Sequence, residues 1–509
     1  MSDVALTSFL NLSSSLEHMS LSFSQLHGEF PTQVSQLPNL KLIDLSRSEN
    51  LRGYLPNTNW SHALESLDFS HCGFRGSIPA SFGNLTQIIS VDLERNSLEG
   101  QIPDVFGNLR KLTTLRLSSC NLSGPLPITI FNLTKIIHLD LSNNHLEGPL
   151  PNHVNKLQFL KELRLHNNSI SGGVPSWFFD LTGISYLDLS SNNLSGVIKS
   201  NMLSKLTSLH FLVVSSNSLL SLSTSGNDVN YSFPQLAIVN FSGCSVRQFP
   251  NFFQTSNLEE LDLSNNMISG GISKWEAEGW EGLRYLDLSH NFLTALEQFP
   301  GNNLEYLNLH SNLLQGPILS TCLSPQIPIL KELFGIIISK NKLTGNIPSS
   351  ICKLSLLSVL DLSENSLSGT IPDCLGNLSS LQLMDLQVNN FYGKIPNSFV
   401  NNGKLSHLLL NDNQLEGLVP PSLANCTSLE LLNLGNNKLR DKFPHWLASL
   451  SRLQVLILRF NRFYGFLPHS IASYDFFALR IFDLSENEFT GTLSTKLFRN
   501  LRAMKDKHK

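Results

Sequence analysis

Asparagine or cysteine recurs every 24 residues along part of this chain, each time in the same frame of leucines. The series runs through Cys72, Asn96, Cys120, Asn144 and Asn168. A fixed period this short is typical of stacked units that cannot bury their apolar faces alone. The sequence therefore predicts one repeat array with a continuous core, although 509 residues would otherwise suggest several compact domains.

The repeating frame is L-x-x-L-x-L-x-x-N/C-x-L-x-G-x-I-P, and it can be followed twenty times. Its L-x-L centre predicts a short strand with the leucines inward, and the rest of each coil predicts a short convex helix or turn. We call the Asn or Cys position the ladder residue. Buried in its turn, an amide there can bond backbone groups that no sheet reaches. The ladder residues are Ser24, Ser48, Cys72, Asn96, Cys120, Asn144, Asn168, Asn192, Asn217, Cys244, Asn266, Asn291, Asn312, Asn341, Asn365, Asn389, Asn413, Asn437, Asn461 and Asn487.

The regularity of the ladder divides the chain. Spacing is regular in residues 64–210 and 331–493 and irregular in 211–330. We expect a single solenoid over residues 12–493, preceded by an uncapped remnant (1–11) and followed by a basic lead-in to a missing C-terminal part (494–509). Because repeat arrays need terminal caps, we expect a fragment of a longer protein. The polar segment 219–235 favours a loop excursion, either tolerated drift or a binding loop.

Charge and motifs exclude several functions. The formal net charge of −4 gives no basic surface for nucleic acid or an anionic membrane. We find no run of about 18 apolar residues and no secretory signal. We find no metal spacing and no hydrolase, P-loop or dinucleotide motif, so we expect no cofactor and no enzymatic activity.

The seven cysteines divide into two groups. Cys72, Cys120 and Cys244 take ladder positions, where a small buried thiol fills the turn. The other four, which include Cys322 and Cys426, fall in convex segments. Cys352 and Cys374 lie on adjacent coils, and the spacing leaves open whether they pair.

The residue between the two strand leucines is expected to point to solvent. It is Asp in most repeats, which indicates a role in the scaffold. Arg116 and Arg164 are exceptions that alternate with acids, which favours either a structural charge ladder or an anion-recognising strip. With its neighbours, the strip comprises Arg95, Arg116, Arg164 and His166, beside His138.

Repeats 16 to 19 carry apolar residues at positions interpreted as outward strand positions. Apolar residues rimmed by polar ones suggest a protein or peptide contact, and the alternative is scattered exposed aliphatics. The predicted contact patch comprises Gln387, Val388, Leu409, Asn411, Asp412, Ile457, Arg459 and Phe460, with Asn433 and Asn436 nearby.

Several Asn-x-Ser/Thr motifs are candidate glycosylation sites. Four share one convex slot twelve residues past the ladder position, where glycans would leave the opposite face open. The candidates are Asn84, Asn132, Asn377, Asn425, Asn59, Asn121 and Asn193. Asn240 is the least suitable acceptor because it falls in an expected strand.

The Gly-x-Ile-Pro closure and the Leu-Asp-Leu-Ser strands resemble plant extracellular leucine-rich repeats. Other stretches resemble plant receptor-like proteins of the Cf and Ve immune class. These stretches are Phe249-Pro250-Asn251-Phe252, Asn257 to Asn266, Lys274-Trp275, Leu304 to Leu309, Asn312 to Pro317, Leu456 to Gly465 and Arg502-Ala503-Met504. The resemblance implies an α/β repeat solenoid, a right-handed curved leucine-rich-repeat superhelix of about 20 repeats with a concave parallel β-sheet.

The same resemblance implies a ligand-recognition ectodomain at the outer face of the plasma membrane. Its expected partners are a protein or peptide ligand and a partner receptor kinase in defence signalling. Contact with the membrane would occur only through a segment absent from this chain. Two alternatives stay open: the ectodomain of a leucine-rich-repeat receptor kinase, and a secreted inhibitor of microbial cell-wall-degrading enzymes.

Overall fold

The computed structural model forms two compact units, residues 1–258 (unit 1) and 259–509 (unit 2). The structure describes residues 15–57, 60–152, 154, 157–223, 233, 235–250, 253, 257–273, 280–297, 303–318, 332–399, 403–467, 476–492 and 503. The expected remnant 1–11 lies outside the described residues, as do Asn59, Cys322, Asn251, Phe252, Lys274, Trp275, Arg502 and Met504. The lead-in 494–509 lies outside them except for residue 503.

Unit 1 is built from short strands. They are β1 (His18–Ser20), β2 (His27–Glu29), β3 (Leu42–Asp44), β4 (Asn50–Tyr54), β5 (Ser66–Asp68), β6 (Gly73–Gly76), β7 (Ser90–Asp92), β8 (Ser97–Gln101), β9 (Thr114–Arg116), β10 (Asn121–Pro125), β11 (His138–Asp140), β12 (His145–Pro149), β13 (Glu162–Arg164), β14 (Ser169–Gly173), β15 (Tyr186–Asp188), β16 (Asn193–Lys199), β17 (Phe211–Val213), β18 (Leu219–Ser223) and β19 (Ile238–Asn240).

Unit 2 repeats the same plan. Its strands are β20 (Glu260–Asp262), β21 (Ser269–Ile272), β22 (Tyr285–Asp287), β23 (Phe292–Leu296), β24 (Tyr306–Asn308), β25 (Gln315–Pro317), β26 (Gly335–Ile337), β27 (Lys342–Gly345), β28 (Val359–Asp361), β29 (Ser366–Gly369), β30 (Leu383–Asp385), β31 (Asn390–Gly393), β32 (His407–Leu409), β33 (Gln414–Gly417), β34 (Leu431–Asn433), β35 (Lys438–Leu439), β36 (Val455–Ile457), β37 (Tyr464–Phe466), β38 (Ile481–Asp483) and β39 (Glu488–Thr490).

In each unit the strand that precedes the ladder residue joins a parallel primary sheet. These are the odd-numbered strands of unit 1 and the even-numbered strands of unit 2. The pairing is in register from coil to coil: Leu139 lies opposite Leu115 on one side and Leu163 on the other. The middle residue of each strand is apolar and mostly fully buried, whereas the flanking two are at least partly exposed in most strands. We call the outward surface the primary face of that unit.

Short helical turns close many coils on the opposite side. They are 3-10 helices at Thr32–Gln36, Ala80–Asn84, Asp104–Asn108, Ile130–Asn132, Ser176–Asp180, Ser349–Lys353, Asp373–Asn377, Pro421–Asn425 and His445–Ser449, and one α-helical turn at Ser200–Leu203. Most follow a proline, whose fixed φ sets the entry and whose carbonyl accepts the first bond of the turn. Phe82 N–H, for example, donates to the Pro79 carbonyl at 3.1 Å.

The core of both units is a stack of inward leucines and isoleucines with phenylalanines between them. Phe69 and Phe74 stack at 4.7 Å between ring centroids, and Phe82 lies 6.1 Å from Phe106 on the next coil. Each coil therefore buries its apolar side against its neighbours, as the 24-residue period predicts.

The ladder asparagines bond backbone groups that the sheets leave unpaired. Asn144 Nδ2 donates to the carbonyls of Leu117, Leu141 and Ser142 at 2.9, 3.1 and 3.0 Å. Its Oδ1 accepts the Leu122 N–H at 3.0 Å. The other described ladder asparagines make the same kind of contact, so the amide serves as the backbone's partner in each turn.

The ladder cysteines are buried thiols, as expected. Cys72 Sγ donates to the Leu45 carbonyl at 3.2 Å, and the thiols of Cys120 and Cys244 make similar contacts at 3.5 and 3.4 Å. Burial raises the pKa of Cys72 and Cys120 to about 11, so both remain neutral thiols.

The residue before every ladder position adopts the left-handed conformation, with φ between 51° and 61°. We call it the corner residue. It is Gly243 in one repeat and a residue with a side chain in the others. The same backbone turn in every coil directs the corner side chain outward at the end of the primary strand.

The structure changes one expectation and decides one open question. Leu219–Ser223 forms strand β18 and pairs in parallel with β16, because Leu220 and Leu222 are buried, so this part of the expected excursion is regular. Cys352 and Cys374, left open by the spacing, form a disulfide with Cα atoms 5.8 Å apart. Cys426 is a buried free thiol.

Candidate functional site

The primary-face aspartates are scaffold groups that are more buried than expected. Asp140 is 9% exposed, and its Oδ1 accepts the Ser142 N–H at 3.0 Å and the Ser142 hydroxyl at 2.6 Å. Asp188 makes the same two contacts with Ser190. The expectation that the strand aspartates point to solvent is wrong for the buried Asp92, Asp140 and Asp188. The other strand aspartates are partly exposed, in line with the expectation.

The pKa of the strand aspartate is different in repeats where another residue replaces that serine. Ser46 lies two residues after Asp44, and Ser190 lies two residues after Asp188. Against the opposing effect of burial, hydrogen bonds from Ser46 lower the pKa of Asp44, and hydrogen bonds from His166 and Ser190 lower that of Asp188. Glu94 and Gln387 stand at the corresponding positions after Asp92 and Asp385. There burial raises the pKa of Asp92 to about 6 and that of Asp385 to about 7.

The arginine strip of unit 1 forms only part of the expected charge ladder. Arg116 Nη1 lies 3.5 Å from Asp92 Oδ2, as a ladder predicts. Arg164 instead places Nε 2.6 Å from Glu162 Oε1 on its own strand, and its guanidinium lies 4.6 Å from the centre of the Tyr186 ring. An aromatic face and a carboxylate within reach hold Arg164 better than the enclosed aspartates beside it can.

Two histidines flank this strip and also face carboxylates. His138 Nδ1 lies 2.8 Å from Glu162 Oε2, and His166 Nδ1 lies 3.0 Å from Asp188 Oδ2. Asp188 raises the pKa of His166. Arg95 is an exposed corner residue, so the strip's charges do not share one row.

The predicted contact patch of unit 2 occupies two kinds of position. Leu409 and Ile457 are the last residues of β32 and β36 and are partly exposed, as predicted. Val388 and Phe460 are not on strands: they are corner residues with φ of 54° and 52°, exposed by 44% and 51%. The alternation of inward and outward side chains ends with the strand, before the turn at the ladder residue. The prediction that Val388 and Phe460 occupy strand positions is therefore wrong.

Polar groups lie between these apolar side chains. Asp412 accepts hydrogen bonds from Asn411 Nδ2 at 2.6 Å and Asn436 Nδ2 at 2.5 Å. Asn411 Oδ1 is buried and accepts no hydrogen bond from the described residues. Arg459 Nη1 lies 3.9 Å from Asp483 Oδ2 and its side chain is 55% exposed. Arg459 therefore offers a cation to a bound molecule.

A second apolar row beside the patch was not predicted. The first residues of the primary strands lie in register across β28 to β38, and His407 is the polar member among them. The row is Val359, Leu383, His407, Leu431, Val455 and Ile481. The sequence carries the signal for this row, because the residue immediately before the buried strand residue is apolar in five of these six repeats.

An aromatic cluster formed by Tyr285 of β22, Tyr306 of β24 and Phe334, the residue before β26, was also missed. The rings of Tyr285 and Tyr306 stack at 4.6 Å with 6° between their planes, and Phe334 lies 5.9 Å from Tyr306. A Cβ on Gly335 would come within 2.7 Å of Tyr306 Cδ2, so the glycine leaves room for the ring. His290 and His310 lie 5.1 Å apart nearby. The ladder residues are irregularly spaced in this region, so the sequence pattern did not predict that these rings align.

The four sequons of the shared slot have a common structural place. Asn84, Asn132, Asn377 and Asn425 each end a 3-10 helix, and all four are exposed. Asn121 and Asn193 are exposed first residues of second-sheet strands, β10 and β16. Asn240 lies in β19, as expected. Glycosylation itself stays a prediction.

Among the described residues, no group of three or more His, Cys, Asp or Glu side chains is placed to hold a metal ion. Across the same described ranges, no helix is long and apolar enough to cross a bilayer.

Family models match much of the chain. A leucine-rich repeat region matches residues 53–269, and three further leucine-rich repeat models match residues 256–301, 356–378 and 396–463. The chain belongs to the leucine-rich-repeat family. The solenoid of parallel strands expected from the 24-residue period is thereby confirmed.

Several relatives and solved structures with high similarity come from plants. Receptor-like protein 7 of Arabidopsis thaliana is 36% identical over 170 residues, which are 32% of this chain and 16% of that protein. The resemblance to plant leucine-rich-repeat receptor-like proteins is confirmed, and the matched part spans less than a fifth of that relative's length.

Two solved ectodomains have the same fold over nearly the whole chain. The leucine-rich-repeat ectodomain of the receptor kinase GASSHO1/SCHENGEN3 from Arabidopsis thaliana, in complex with CASPARIAN STRIP INTEGRITY FACTOR 2, is 30% identical with a TM-score of 0.81. The match covers 96% of this chain and 58% of that one. The Arabidopsis receptor kinase HAESA, in complex with the peptide hormone IDA and the co-receptor SERK1, is 29% identical with a TM-score of 0.76. That match covers 97% and 86%.

Proposed function

We propose that this chain is the ligand-recognition part of a plant cell-surface receptor-like protein, and that it binds a peptide or an extended protein segment on the primary face of unit 2. The observation that carries the proposal is the juxtaposition, in register on neighbouring strands, of the apolar first-residue row with Leu409 and Ile457. Polar groups of Asn411, Asp412 and Arg459 lie among them. A partly exposed apolar surface rimmed by polar groups is what peptide contacts use.

The ligand class follows from the surface rather than from a pocket. Rows of side chains about 4.8 Å apart suit a molecule that lies across the strands and contacts several of them in turn. The HAESA ectodomain described above is in complex with a peptide hormone, and the GASSHO1/SCHENGEN3 ectodomain is in complex with CASPARIAN STRIP INTEGRITY FACTOR 2. Their likeness to this chain supports a ligand of the same kind.

We also propose that the chain lies at the outer face of the plasma membrane, that it acts with a partner receptor kinase, and that it has a role in defence of the Cf and Ve type. The Cys352–Cys374 disulfide supports an oxidising compartment, since cytosolic thiols are kept reduced. The HAESA complex contains a co-receptor, and that precedent supports a partner kinase here.

The test replaces two apolar residues of the patch. Peptides selected from a random library on the unaltered chain serve as probes, and their affinities are measured by calorimetry. Leu409→Asp with Phe460→Asp is expected to weaken binding by at least about 30-fold, because the loss of a single central contact costs about 2 kcal/mol. Leu356→Asp is the matched control, since Leu356 is 45% exposed in the turn before β28, outside the primary face.

Equal affinity of the folded double variant for these peptides would overturn the proposal. The gene sequence after residue 509 separates the alternatives. A membrane helix with a short tail supports a receptor-like protein. A kinase sequence supports a receptor kinase, and an early stop supports the secreted inhibitor.

A further inference from the structure

A groove of about 830 Å³ lies over the second-sheet strands of unit 1, away from the primary face. It crosses β4, β6, β8 and β10, which pair in sequence. Gly76 and Gly100 line it, and both have positive φ, at 78° and 81°, with no side chain to fill the space. The groove is therefore a product of the repeat's glycine closure.

The lining combines one aromatic ring with small polar groups. Tyr54 is 58% exposed at one end. The Arg75 guanidinium covers one face of its ring, 4.9 Å from the ring centre. Glu99, Asn57 and Ser77 supply a carboxylate, an amide and a hydroxyl. A sugar ring presents an apolar C–H face and a rim of hydroxyls, which an aromatic ring and such polar groups complement.

The opposite end of the groove holds a glycosylation motif. Asn121 and Ser123, the first and third residues of the Asn121-Leu122-Ser123 sequon, both line it. Asn121 is exposed at the start of β10, three strand steps from Tyr54 on β4. Three steps are about 14 Å, a span that a short chain of sugar rings covers.

We infer that Asn121 carries an N-linked glycan whose first sugars lie in this groove and reach Tyr54. The inference rests on the extracellular placement proposed above. The groove would hold the chain's own glycan rather than a free saccharide, because Asn121, the residue to which the glycan is attached, forms one wall of the groove. The glycan would cover the side of unit 1 without touching the primary face.

Asn193 is the matched control within the chain. It too follows a ladder residue directly and begins a second-sheet strand, β16. In the repeat three strand steps before Asn193, the residue that corresponds to Tyr54 is Pro125. A glycan on Asn193 therefore has no aromatic ring at the equivalent place.

The experiment measures how well each glycan is shielded. The chain is secreted from insect cells with a heterologous leader and an inhibitor of mannose trimming, and the native protein is treated with endoglycosidase H. Site-resolved mass spectrometry follows release at Asn121 and Asn193. We expect release at Asn121 to be about tenfold slower, which corresponds to about 1.4 kcal/mol of docking free energy. Tyr54→Ser should raise the Asn121 rate to that of Asn193.

Three results would overturn the inference: equal release rates in the unaltered protein, no effect of Tyr54→Ser, or an unoccupied Asn121 in protein glycosylated at Asn84. Binding of soluble N,N′-diacetylchitobiose to the glycosylated protein would also overturn it, because the groove would then be open. None of these results bears on peptide binding at Leu409 and Phe460. The proposed function is therefore tested independently of the glycan inference.

Discussion

Gln387 lies two residues after Asp385, where most repeats have a serine that bonds the aspartate. The Gln387 N–H is 3.0 Å from Asp385 Oδ1, but its side-chain amide comes no closer than 3.3 Å to Oδ2. Asp361, on the neighbouring strand, receives the hydroxyls of Ser363 and Ser339 at 2.7 Å each. Asp385 lacks these donors, and burial raises its pKa to about 7.

Asp385 should make folding stability depend on pH. Its folded pKa lies above the unfolded value of about 4, so the folded state retains a proton that the unfolded state loses. This contribution is present below about pH 4 and is lost as pH rises to about 7. Asp385→Asn should remove that fall and be more stable than the unaltered chain at pH 8, by about 1–2 kcal/mol after allowance for partial exposure. Urea unfolding at pH 4.5, 6 and 8 measures it.

Asp483→Asn is the control of opposite sign. The Ser485 hydroxyl holds the pKa of Asp483 below its usual range, so its contribution is lost as pH falls. The Asp483 variant should therefore lose stability at neutral pH. Parallel pH curves for the Asp385 variant and the unaltered chain would contradict the prediction.

The side-chain amide of a ladder asparagine should contribute more to the stability of unit 1 than the thiol of a ladder cysteine. Asn144→Ala leaves three carbonyls and the Leu122 N–H without their partner in a buried turn. We expect unit 1 to lose about 3 kcal/mol or more, with faster hydrogen exchange at Leu122. Cys120→Asn, in the preceding coil, should be neutral or stabilising, since it installs the same amide. A greater loss for Cys120→Asn than for Asn144→Ala would contradict the ladder's role.

The disulfide should contribute to the stability of unit 2. Cys352 and Cys374 are 22 residues apart, and closing a loop of that length restricts the unfolded chain. Cys352→Ser with Cys374→Ser should lower the free energy of unfolding by about 3 kcal/mol. Dithiothreitol should destabilise the unaltered chain by a similar amount and leave the double variant unchanged. A reductant effect on the double variant would point to another cause.

The two arginines of the strip should differ in their effect on stability. Arg116 makes one contact at 3.5 Å and is 44% exposed, so Arg116→Gln should change stability by less than about 0.5 kcal/mol. Arg164→Gln removes contacts with Glu162 and Tyr186 and should lower stability by about 1 kcal/mol. Equal effects in thermal unfolding would contradict this. The anion-recognition role is removed if both changes together leave ligand affinity unaltered.

Gly335 should be required for the tyrosine stack. A Cβ in Gly335→Ala would meet Tyr306 Cδ2 at 2.7 Å and displace the ring. We expect a loss of about 1–2 kcal/mol and a changed near-ultraviolet circular dichroism from Tyr285 and Tyr306. At Gly403 the new Cβ meets only Thr427 Oγ1 at 3.6 Å, so Gly403→Ala is the control. An unchanged tyrosine signal in the Gly335 variant would refute the packing argument.

The local frame of each coil was predictable because its pattern is repeated. The inward leucines, the ladder amides and the buried ladder thiols follow from residue type and a fixed period. The sequence could not place Val388 and Phe460, since the turn ahead of the ladder residue breaks strand alternation. It could not find the Tyr285–Tyr306 stack either, because the ladder spacing is irregular there.

The sequence by itself determined the coil, because a short apolar frame that cannot bury itself must stack on its neighbours. Only the tertiary structure decided which side chains of different coils meet. Pairing of Cys352 with Cys374, enclosure of the primary-face aspartates and the approach of Arg164 to Tyr186 depend on distances between strands. The registered stacking of coils sets those distances, and no single repeat contains them.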